Sequence, residues 1–187
     1  MKKYAIVYCS KTGFTKRYVD MLKEEIDCDV FEAKKLKNLN PLLKYDLIIY
    51  AGSVMANRIN GFKIIDKNIY DIEDKKIIIV AVGLTPPLDQ VLEQLKSSNI
   101  PFGFEDKIKI FQLRGGLDVS KLKFFPKMLM NSIKKRLINQ QNRNEAEEEM
   151  LEAILKGADY VDKSSIVPII EEIKEFEKNQ VIDVEVI

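Results

Sequence analysis

The sequence predicts an α/β protein built on a doubly wound sheet of five parallel strands. Three continuous apolar runs, Ala5 to Tyr8, Leu47 to Ala51 and Ile77 to Val82, are typical of central strands buried on both faces. Two further runs, Asp29 to Ala33 and Ile108 to Leu113, alternate more and suit the edges of the sheet. Helical patterns separate the strands, and this alternation favours parallel pairing.

Helices are expected between and after these strands. Those between them lie at Lys16 to Ile26, Leu39 to Lys44, Phe62 to Ile72 and Leu88 to Ser97. After the fifth strand, an insertion at about 117–160 is predicted to hold a basic amphipathic helix and an acidic helix, at Lys121 to Ile138 and Glu145 to Lys156. A last helix, Ser164 to Lys178, returns to the sheet. We interpret residues 1–187 as a single domain with this insertion.

The tail is predicted to be extended. Residues Val181 to Ile187 alternate like a strand, which would add to a sheet edge or pair with another subunit. A homo-oligomer is one reading of this pattern.

Composition excludes several classes of function. The 187 residues include 30 basic and 29 acidic side chains, so no global field favours nucleic acid. Histidine is absent, which removes His-based triads and the common zinc sites. The two cysteines, Cys9 and Cys28, form no disulfide framework or metal pattern. The N-terminus has no secretory signal pattern, and we expect a cytoplasmic protein.

A hydroxyl-rich loop follows the first predicted strand and opens into the first predicted helix. Its residues are Ser10, Lys11, Thr12, Gly13, Phe14 and Thr15. Unpaired N–H groups at a helix N-terminus, together with the helix dipole, favour an anion there. Three hydroxyls add donors, and Gly13 lets the backbone approach a ligand closely. We therefore predict a phosphate-binding loop.

Two rival phosphate chemistries fail on spacing. A phosphatase loop requires an arginine six places after its cysteine, but Thr15 stands six places after Cys9, and Arg17 comes two residues later. A nucleotide-triphosphate loop requires two glycines, and only Gly13 is present. The remaining alternative is an ordinary strand-to-helix turn in which hydroxyls cap the helix.

With the pattern Thr/Ser-x-Thr-Gly-x-Thr after its first strand, the chain resembles the flavodoxin family. The resemblance implies a flavodoxin-like fold with strand order 2-1-3-4-5. It also implies one FMN, whose terminal phosphate lies in the loop Ser10 to Thr15. The isoalloxazine ring would be held by two later segments, Gly52 to Gly61 and Gly83 to Pro87.

The resemblance places further residues at the cofactor. Outside the phosphate loop they are Ser53, Val54, Met55, Ala56, Asn57, Gly83, Leu84, Thr85 and Arg114. Neither ring segment contains an aromatic residue, so Met55, Leu84 and Pro86 are expected to pack against the ring instead. Arg114 has three readings: it faces the flavin or an anionic substrate, it is solvated, or it pairs with Asp118. Gly52 and Gly83 are also open to a second reading as simple loop geometry. No residue is assigned a catalytic role, and no metal site is predicted.

Within this family, the chain most resembles the branch that includes menaquinone-dependent protoporphyrinogen dehydrogenases. The motifs are Gly-Ser-Val-x6-Gly at Gly52 to Gly61, Leu113 to Asp118, and Phe124 to Met130. The resemblance implies an FMN-binding redox protein that passes electrons between partners, such as a redox protein or a quinone. The alternative is a flavin-dependent dehydrogenase or quinone reductase of the protoporphyrinogen oxidase type. A cofactor-free scaffold is a third reading.

The insertion carries a basic segment with no acidic residue between Lys121 and Arg143. Its common interpretation is a surface helix whose apolar stripe packs on the fold and whose lysines face water. The functional interpretation is peripheral contact with an anionic membrane or an acidic redox partner.

Overall fold

A computed structural model describes residues 4–122 and 124–185, without the side chains of residues 125 and 181–185. The strands of the described chain are β1 (Tyr4–Cys9), β2 (Cys28–Glu32), β3 (Leu47–Met55), β4 (Arg58–Ile59), β5 (Lys76–Gly83), β6 (Ile108–Arg114), β7 (Gly116–Leu117) and β8 (Ala158–Asp159). The α-helices are α1 (Phe14–Glu25), α2 (Lys63–Asp66), α3 (Asp89–Asn99), α4 (Phe124–Asn139), α5 (Glu145–Lys156) and α6 (Val167–Glu185).

The main sheet confirms the predicted topology. Its five parallel strands run in the order β2-β1-β3-β5-β6, and the short β4 pairs with β3 antiparallel. The central strands β1, β3 and β5 are neighbours, with Tyr8 beside Ala51 and Gly52 beside Ala81. The carboxyl ends of these strands therefore lie side by side at one edge of the sheet. The connections from β1 to β2 and from β3 to β5 leave this edge in opposite directions, which is the arrangement that forms a ligand crevice in doubly wound sheets.

Helices cover both faces of the sheet, because the strands carry apolar side chains on both of their sides. One face packs on α1 and α6 through Tyr18, Leu22 and Ile169. The opposite face packs on α2 and α3, where Ile65 and Leu95 are fully buried. The two clusters are typical of a doubly wound fold, with helices on both sides of one sheet.

Two helix predictions are wrong. Residues 39–44 contain only a 3₁₀ turn at Asn40–Leu42, and the segment 62–72 is divided into α2 and a 3₁₀ turn at Ile69–Ile72. Asn68 explains the break, because its side-chain N–H donates to the Ile64 carbonyl at 2.8 Å and competes with the backbone ladder.

The prediction of an extended tail is also wrong over residues 181–185, where α6 continues. Residues 186 and 187 lie outside the described chain. An apolar alternation of this length does not distinguish a strand from the end of a long helix.

The insertion forms a small unit that closes on itself. β7 at its start pairs antiparallel with β8 at its end, with Gly116 opposite Asp159. Between them α4 packs on α5 through the buried side chains Leu137, Leu151 and Ile154. Asn144 and Glu147 form a reciprocal capping box at the start of α5, so this helix begins where the sequence predicts.

Candidate functional site

The predicted phosphate loop, Ser10 to Thr15, lies at the carboxyl end of β1. β1 ends at Cys9 and α1 begins at Phe14, so four residues make the connection. Gly13 precedes the helix with φ +99°, a left-handed conformation that a residue with a Cβ rarely adopts. No side chain caps the helix from this position, and its first turn contains no acidic residue.

Ser10 organises the loop from inside. Its hydroxyl oxygen accepts the N–H of Gly13 at 3.2 Å and that of Lys16 at 3.3 Å. The hydroxyl proton of Ser10 is thereby left for an acceptor outside the loop. Thr12 is half-buried and Thr15 is buried within the first turn, while Lys11 is exposed. A loop that offers N–H and hydroxyl donors without a carboxylate fits the terminal phosphate of FMN.

The second segment, Gly52 to Gly61, forms a β-hairpin. β3 continues to Met55, and Met55 pairs with Arg58 across a two-residue turn. Both turn residues, Ala56 and Asn57, have positive φ, 50° and 58°. This is the geometry of the tight turns that match strand twist, and it is unusual for alanine. Gly52 is needed under the hairpin, because a Cβ there would lie 2.5 Å from Ile59 Cγ2.

The hairpin is fixed to α3 by side-chain amides. The Asn57 amide donates to Gln94 Oε1 at 3.2 Å, and Asn99 donates to the Asn57 carbonyl at 2.7 Å. Asn99 Oδ1 accepts the Ile59 N–H at 2.9 Å. At the base of the hairpin, the Asn60 amide donates to the Ser53 carbonyl at 2.8 Å. The strained turn is therefore held in place by partners on both sides.

The backbone carbonyls of the third segment, residues 83–87, accept hydrogen bonds from residues at or just after the carboxyl end of β6. The Gly83 carbonyl accepts from Gly115 N–H at 2.6 Å, and the Leu84 carbonyl accepts from Arg114 Nε at 3.2 Å. The Gln112 amide donates to the carbonyls of Thr85 and Pro86, each at 3.1 Å. Sequence reasoning missed Gln112, since a polar residue in an edge strand carries no specific signal.

These bonds decide which donors the third segment can offer. A trans peptide is planar with its N–H opposite its carbonyl, and no described peptide bond is cis. The N–H groups of Leu84 and Thr85 therefore point away from β6, whereas Pro86 and Pro87 have none. Two N–H donors on one side of a loop suit carbonyl oxygens such as those of the flavin pyrimidine ring. Val54 packs beside Gly83, where an added Cβ would meet Val54 Cβ at 3.5 Å, so the second and third segments touch.

Arg114 connects the third segment to the insertion. Its Nη2 lies 2.7 Å from Glu149 Oε1, and its guanidinium carbon lies 3.7 Å from the centre of the Tyr160 ring. The Arg114 guanidinium holds the pKa of Glu149 below its usual range. Of the other readings of Arg114, pairing with Asp118 is not what the structure has, since Arg114 pairs with Glu149 and Asp118 pairs with Lys121 at 3.0 Å.

Phe14 and a cleft lie on the insertion side of the phosphate loop. The Phe14 ring covers Gly116, where an added Cβ would lie 2.5 Å from Phe14 Cε1. The cleft has a volume of about 800 Å³ and is bordered by Thr12, Gly13 and Phe14 together with residues of the insertion. Residues 53–57 and 83–85 do not line it. The ring segments instead join the phosphate loop through the adjacent ends of β1, β3 and β5.

Within residues 4–122 and 124–185, no group of three or more Cys, Asp or Glu side chains could hold a metal ion. No helix in the same ranges is both long and apolar enough to cross a bilayer.

Comparison with known proteins gives a family. The flavodoxin domain family matches residues 5–144, about three quarters of the chain. The chain therefore belongs to the flavodoxin domain family, and FMN is the cofactor that this membership supports. No curated protein matches the chain.

Solved structures with a similar fold are distant in sequence. The Trp repressor binding protein from Bacillus subtilis is 14% identical, with TM-score 0.46, and the match covers 60% of this chain and 83% of that one. A flavoprotein in complex with FMN from Lactobacillus acidophilus is also 14% identical, with TM-score 0.44 and coverages of 61% and 93%. A flavodoxin from the domain Archaea is 11% identical, with TM-score 0.37, and covers 82% of this chain and 96% of that one.

Proposed function

We propose that this member of the flavodoxin domain family is an FMN-binding redox protein that transfers electrons between partners. The phosphate loop carries the proposal, because the hydroxyls of Ser10 and Thr12 and the N–H groups of Phe14 and Thr15 offer a phosphate donors, and the first turn of α1 holds no competing carboxylate. FMN would supply the electron-transfer chemistry, and the chain would supply binding and electrostatics.

Each of the three segments would have a distinct task. The loop at Ser10 to Thr15 would retain the cofactor by its phosphate. The rigid hairpin at Ser53 to Asn57 would place a fixed backbone beside the ring. The N–H groups of Leu84 and Thr85 would bind the ring's carbonyl oxygens and favour negative charge there.

The visible spectrum of the purified protein tests the proposal. We expect oxidised-flavin bands, and we expect the apoprotein to recover them when it is titrated with FMN. Riboflavin, which lacks the phosphate, should bind more weakly. A protein that takes up neither flavin would leave the cofactor-free scaffold as the better account.

The hairpin turn allows a sharper test of the ring position. Asn57→Gly keeps the positive φ but removes the side chain, whereas Gln94→Ala removes the same 3.2 Å hydrogen bond from the α3 side. If Asn57 contacts the ring, Asn57→Gly changes the reduction potentials of bound FMN more than its affinity, and Gln94→Ala changes neither. Met55, which is partly exposed on the same hairpin, should behave like Asn57. Equal potentials in all variants would place the ring elsewhere.

The second candidate function is the quinone reductase or dehydrogenase that the resemblance in sequence implies. The cleft of about 800 Å³ gives room for a small molecule, but residues 53–57 and 83–85 do not line it, so a substrate held there would lie beside the phosphate end of FMN and not beside its ring. Turnover of a quinone or a porphyrinogen by the FMN-loaded protein would separate an enzyme from an electron carrier.

The surface of α4 supports a membrane-associated electron partner. Phe124 and Met128 are 75% and 57% exposed at the start of this helix, and Lys127 and Lys135 are exposed on it. Exposed apolar side chains flanked by cations are typical of helices that lie in the lipid interface. The opposite side of α4 is occupied, because Leu137 packs against α5.

Vesicle binding tests this contact. Anionic vesicles should retain the protein at low salt and release it at high salt, and Lys134→Glu with Lys135→Glu should reduce retention without loss of flavin. Lys63→Glu with Lys67→Glu, at exposed positions near α2, is the matched control for net charge. Equal retention on neutral and anionic vesicles would show that the lysines of α4 are only solvated.

A further inference from the structure

The Arg114 guanidinium links the insertion to the third segment. Arg114 Nε donates to the Leu84 carbonyl at 3.2 Å, and Arg114 Nη2 lies 2.7 Å from Glu149 Oε1 on α5. The guanidinium carbon lies 3.7 Å from the centre of the Tyr160 ring. Arg114 on β6, Glu149 on α5 and the Tyr160 ring thereby fix the direction of the Leu84 carbonyl.

The fixed carbonyl determines the direction of one donor toward the proposed cofactor. The Leu84 carbonyl and the Thr85 N–H belong to the same peptide plane, so holding one holds the other. The neighbouring plane is held in the same way, because Gly115 N–H donates to the Gly83 carbonyl and the Tyr160 N–H donates to the Gly115 carbonyl at 2.7 Å. The insertion is therefore linked to the third segment in two ways, through the Arg114 side chain and through the Gly115 backbone.

We infer that Arg114 and Glu149 are positioning residues, through which the insertion orients the Leu84–Thr85 peptide and so tunes the bound flavin. The inference rests on the proposed function and goes beyond the direct contact between Arg114 and flavin that the sequence suggested. A lysine at 114 would keep the positive charge, but its three ammonium donors rotate freely and lack the rigid planar geometry with which the guanidinium holds Leu84 and Glu149 in fixed directions.

Two variants and a matched control test the inference. Arg114→Lys conserves charge and loses the planar guanidinium, and Glu149→Gln removes the negative charge of the partner that orients it. Glu148→Gln is the control, since Glu148 lies on the same helix and pairs with Arg143 at 2.8 Å within the insertion. The first readout is the ratio of dissociation constants for oxidised and reduced FMN. We expect Arg114→Lys to change this ratio by about fivefold, within the range typical of coupling between neighbouring elements, and Glu148→Gln to leave it unchanged.

A second readout uses the apoprotein and does not depend on flavin binding. The amide resonances of Leu84 and Thr85 in ¹⁵N spectra should shift and broaden in Arg114→Lys and Glu149→Gln and remain as in the wild type in Glu148→Gln. The double variant Arg114→Lys with Glu149→Gln should resemble Arg114→Lys alone, because both residues act through one contact.

The two readouts separate the possible failures. A wild-type protein that binds no FMN would overturn the proposed function, and the amide resonances would still decide the positioning role. Unchanged Leu84 and Thr85 resonances in both variants would overturn the positioning role, whatever happens to flavin. A change in the flavin ratio in Glu149→Gln that Glu148→Gln reproduces would reveal a simple effect of net charge and would also overturn it.

Discussion

The sheet and the insertion are held together by different forces. In the sheet, the central strands are buried on both faces by two large apolar clusters. Among the described side chains of the insertion, the buried apolar cluster comprises Leu137, Leu151 and Ile154 with their partly buried neighbours. Phe124, Met128 and Ile138 are exposed on the same unit. Since stability scales with buried apolar surface, the insertion should be the part that opens first.

The insertion compensates with polar contacts to the sheet. Arg17 on α1 lies 2.6 Å from Asp159, and Arg114 lies 2.7 Å from Glu149. The Tyr18 hydroxyl donates to the Arg114 carbonyl at 2.7 Å and accepts the Asp162 N–H at 3.2 Å. The comparison suggests that the sheet sets the cofactor position, whereas the insertion can adjust without unfolding it.

The largest expected effect is in the phosphate loop, on the sheet side of this comparison. Thr12→Ala with Thr15→Ala removes two hydroxyl donors to a charged acceptor, and FMN binding should weaken by roughly 3 to 6 kcal/mol. Fluorescence titration with FMN measures the loss. Riboflavin should bind the wild type and the variant about equally, and Thr12→Ser with Thr15→Ser should restore most of the affinity. Unchanged FMN binding in the alanine variant would mean that the phosphate lies elsewhere.

A core substitution in each region should separate global from local stability. Ile49→Ala, at a fully buried position of β3, should lower the free energy of unfolding by about 2 to 5 kcal/mol. Leu137→Ala, buried between α4 and α5, should change that global value by less than half as much. Denaturant unfolding with amide exchange checks both. Equal losses of global stability would show that the insertion and the sheet unfold as one unit.

The contact between the sheet and the insertion at Gly116 should also be sensitive to the size of the side chain there. A Cβ on Gly116 would lie 2.2 Å from the Ala158 carbonyl oxygen, and backbone on the paired strand cannot yield as a flexible side chain can. Gly116→Ala should therefore cost ~1 to 3 kcal/mol of stability. Gly83→Ala is the comparison, since its nearest neighbour would be 3.5 Å away. Thermal unfolding of both variants measures the difference, and equal midpoints would contradict the close packing of Gly116 against β8.

The smallest expected effect is a response of the insertion to acid. The pKa of Glu149 is lowered by Arg114. Burial acts to raise the pKa of Asp159, but the Arg17 hydrogen bond and the Val161 N–H outweigh it and lower that pKa. A lowered carboxyl pKa stabilises the fold above its ordinary value of ~4, and this stabilisation is lost as the pH falls through the lowered value.

Amide protection between about pH 7 and 3 tests this response. Protection in α5 and β8 should fall below about pH 4, while protection in β1 and β5 persists, because the central strands depend on apolar burial. Arg114→Lys should raise the pH at which the amides of α5 lose their protection. A simultaneous loss in both regions would mean that the ion pairs do not control the insertion separately.

Much of the fold could be predicted because the relevant signals are local. The apolar runs of β1, β3 and β5 specify burial on both faces, and the Asn144–Glu147 capping box starts α5 at the predicted residue. The segments at 39–44 and 62–72 were predicted wrongly for an equally local reason, since a few apolar positions at helical spacing do not ensure a continuous helix. Asn68 shows that one side-chain hydrogen bond is enough to divide such a segment.

The candidate site divides in the same way. By itself, the sequence determined the position of the loop Ser10 to Thr15, because a strand, a glycine and a helix start are neighbours in the chain. Only the tertiary structure decided the hairpin at Ala56 and Asn57, whose positive φ values are accompanied by side-chain amides from α3. It also decided that Arg114 joins Leu84 to Glu149. Those partners are 30 and 35 residues away along the chain, and no periodicity or local propensity encodes a contact that exists only after the insertion has packed against the sheet.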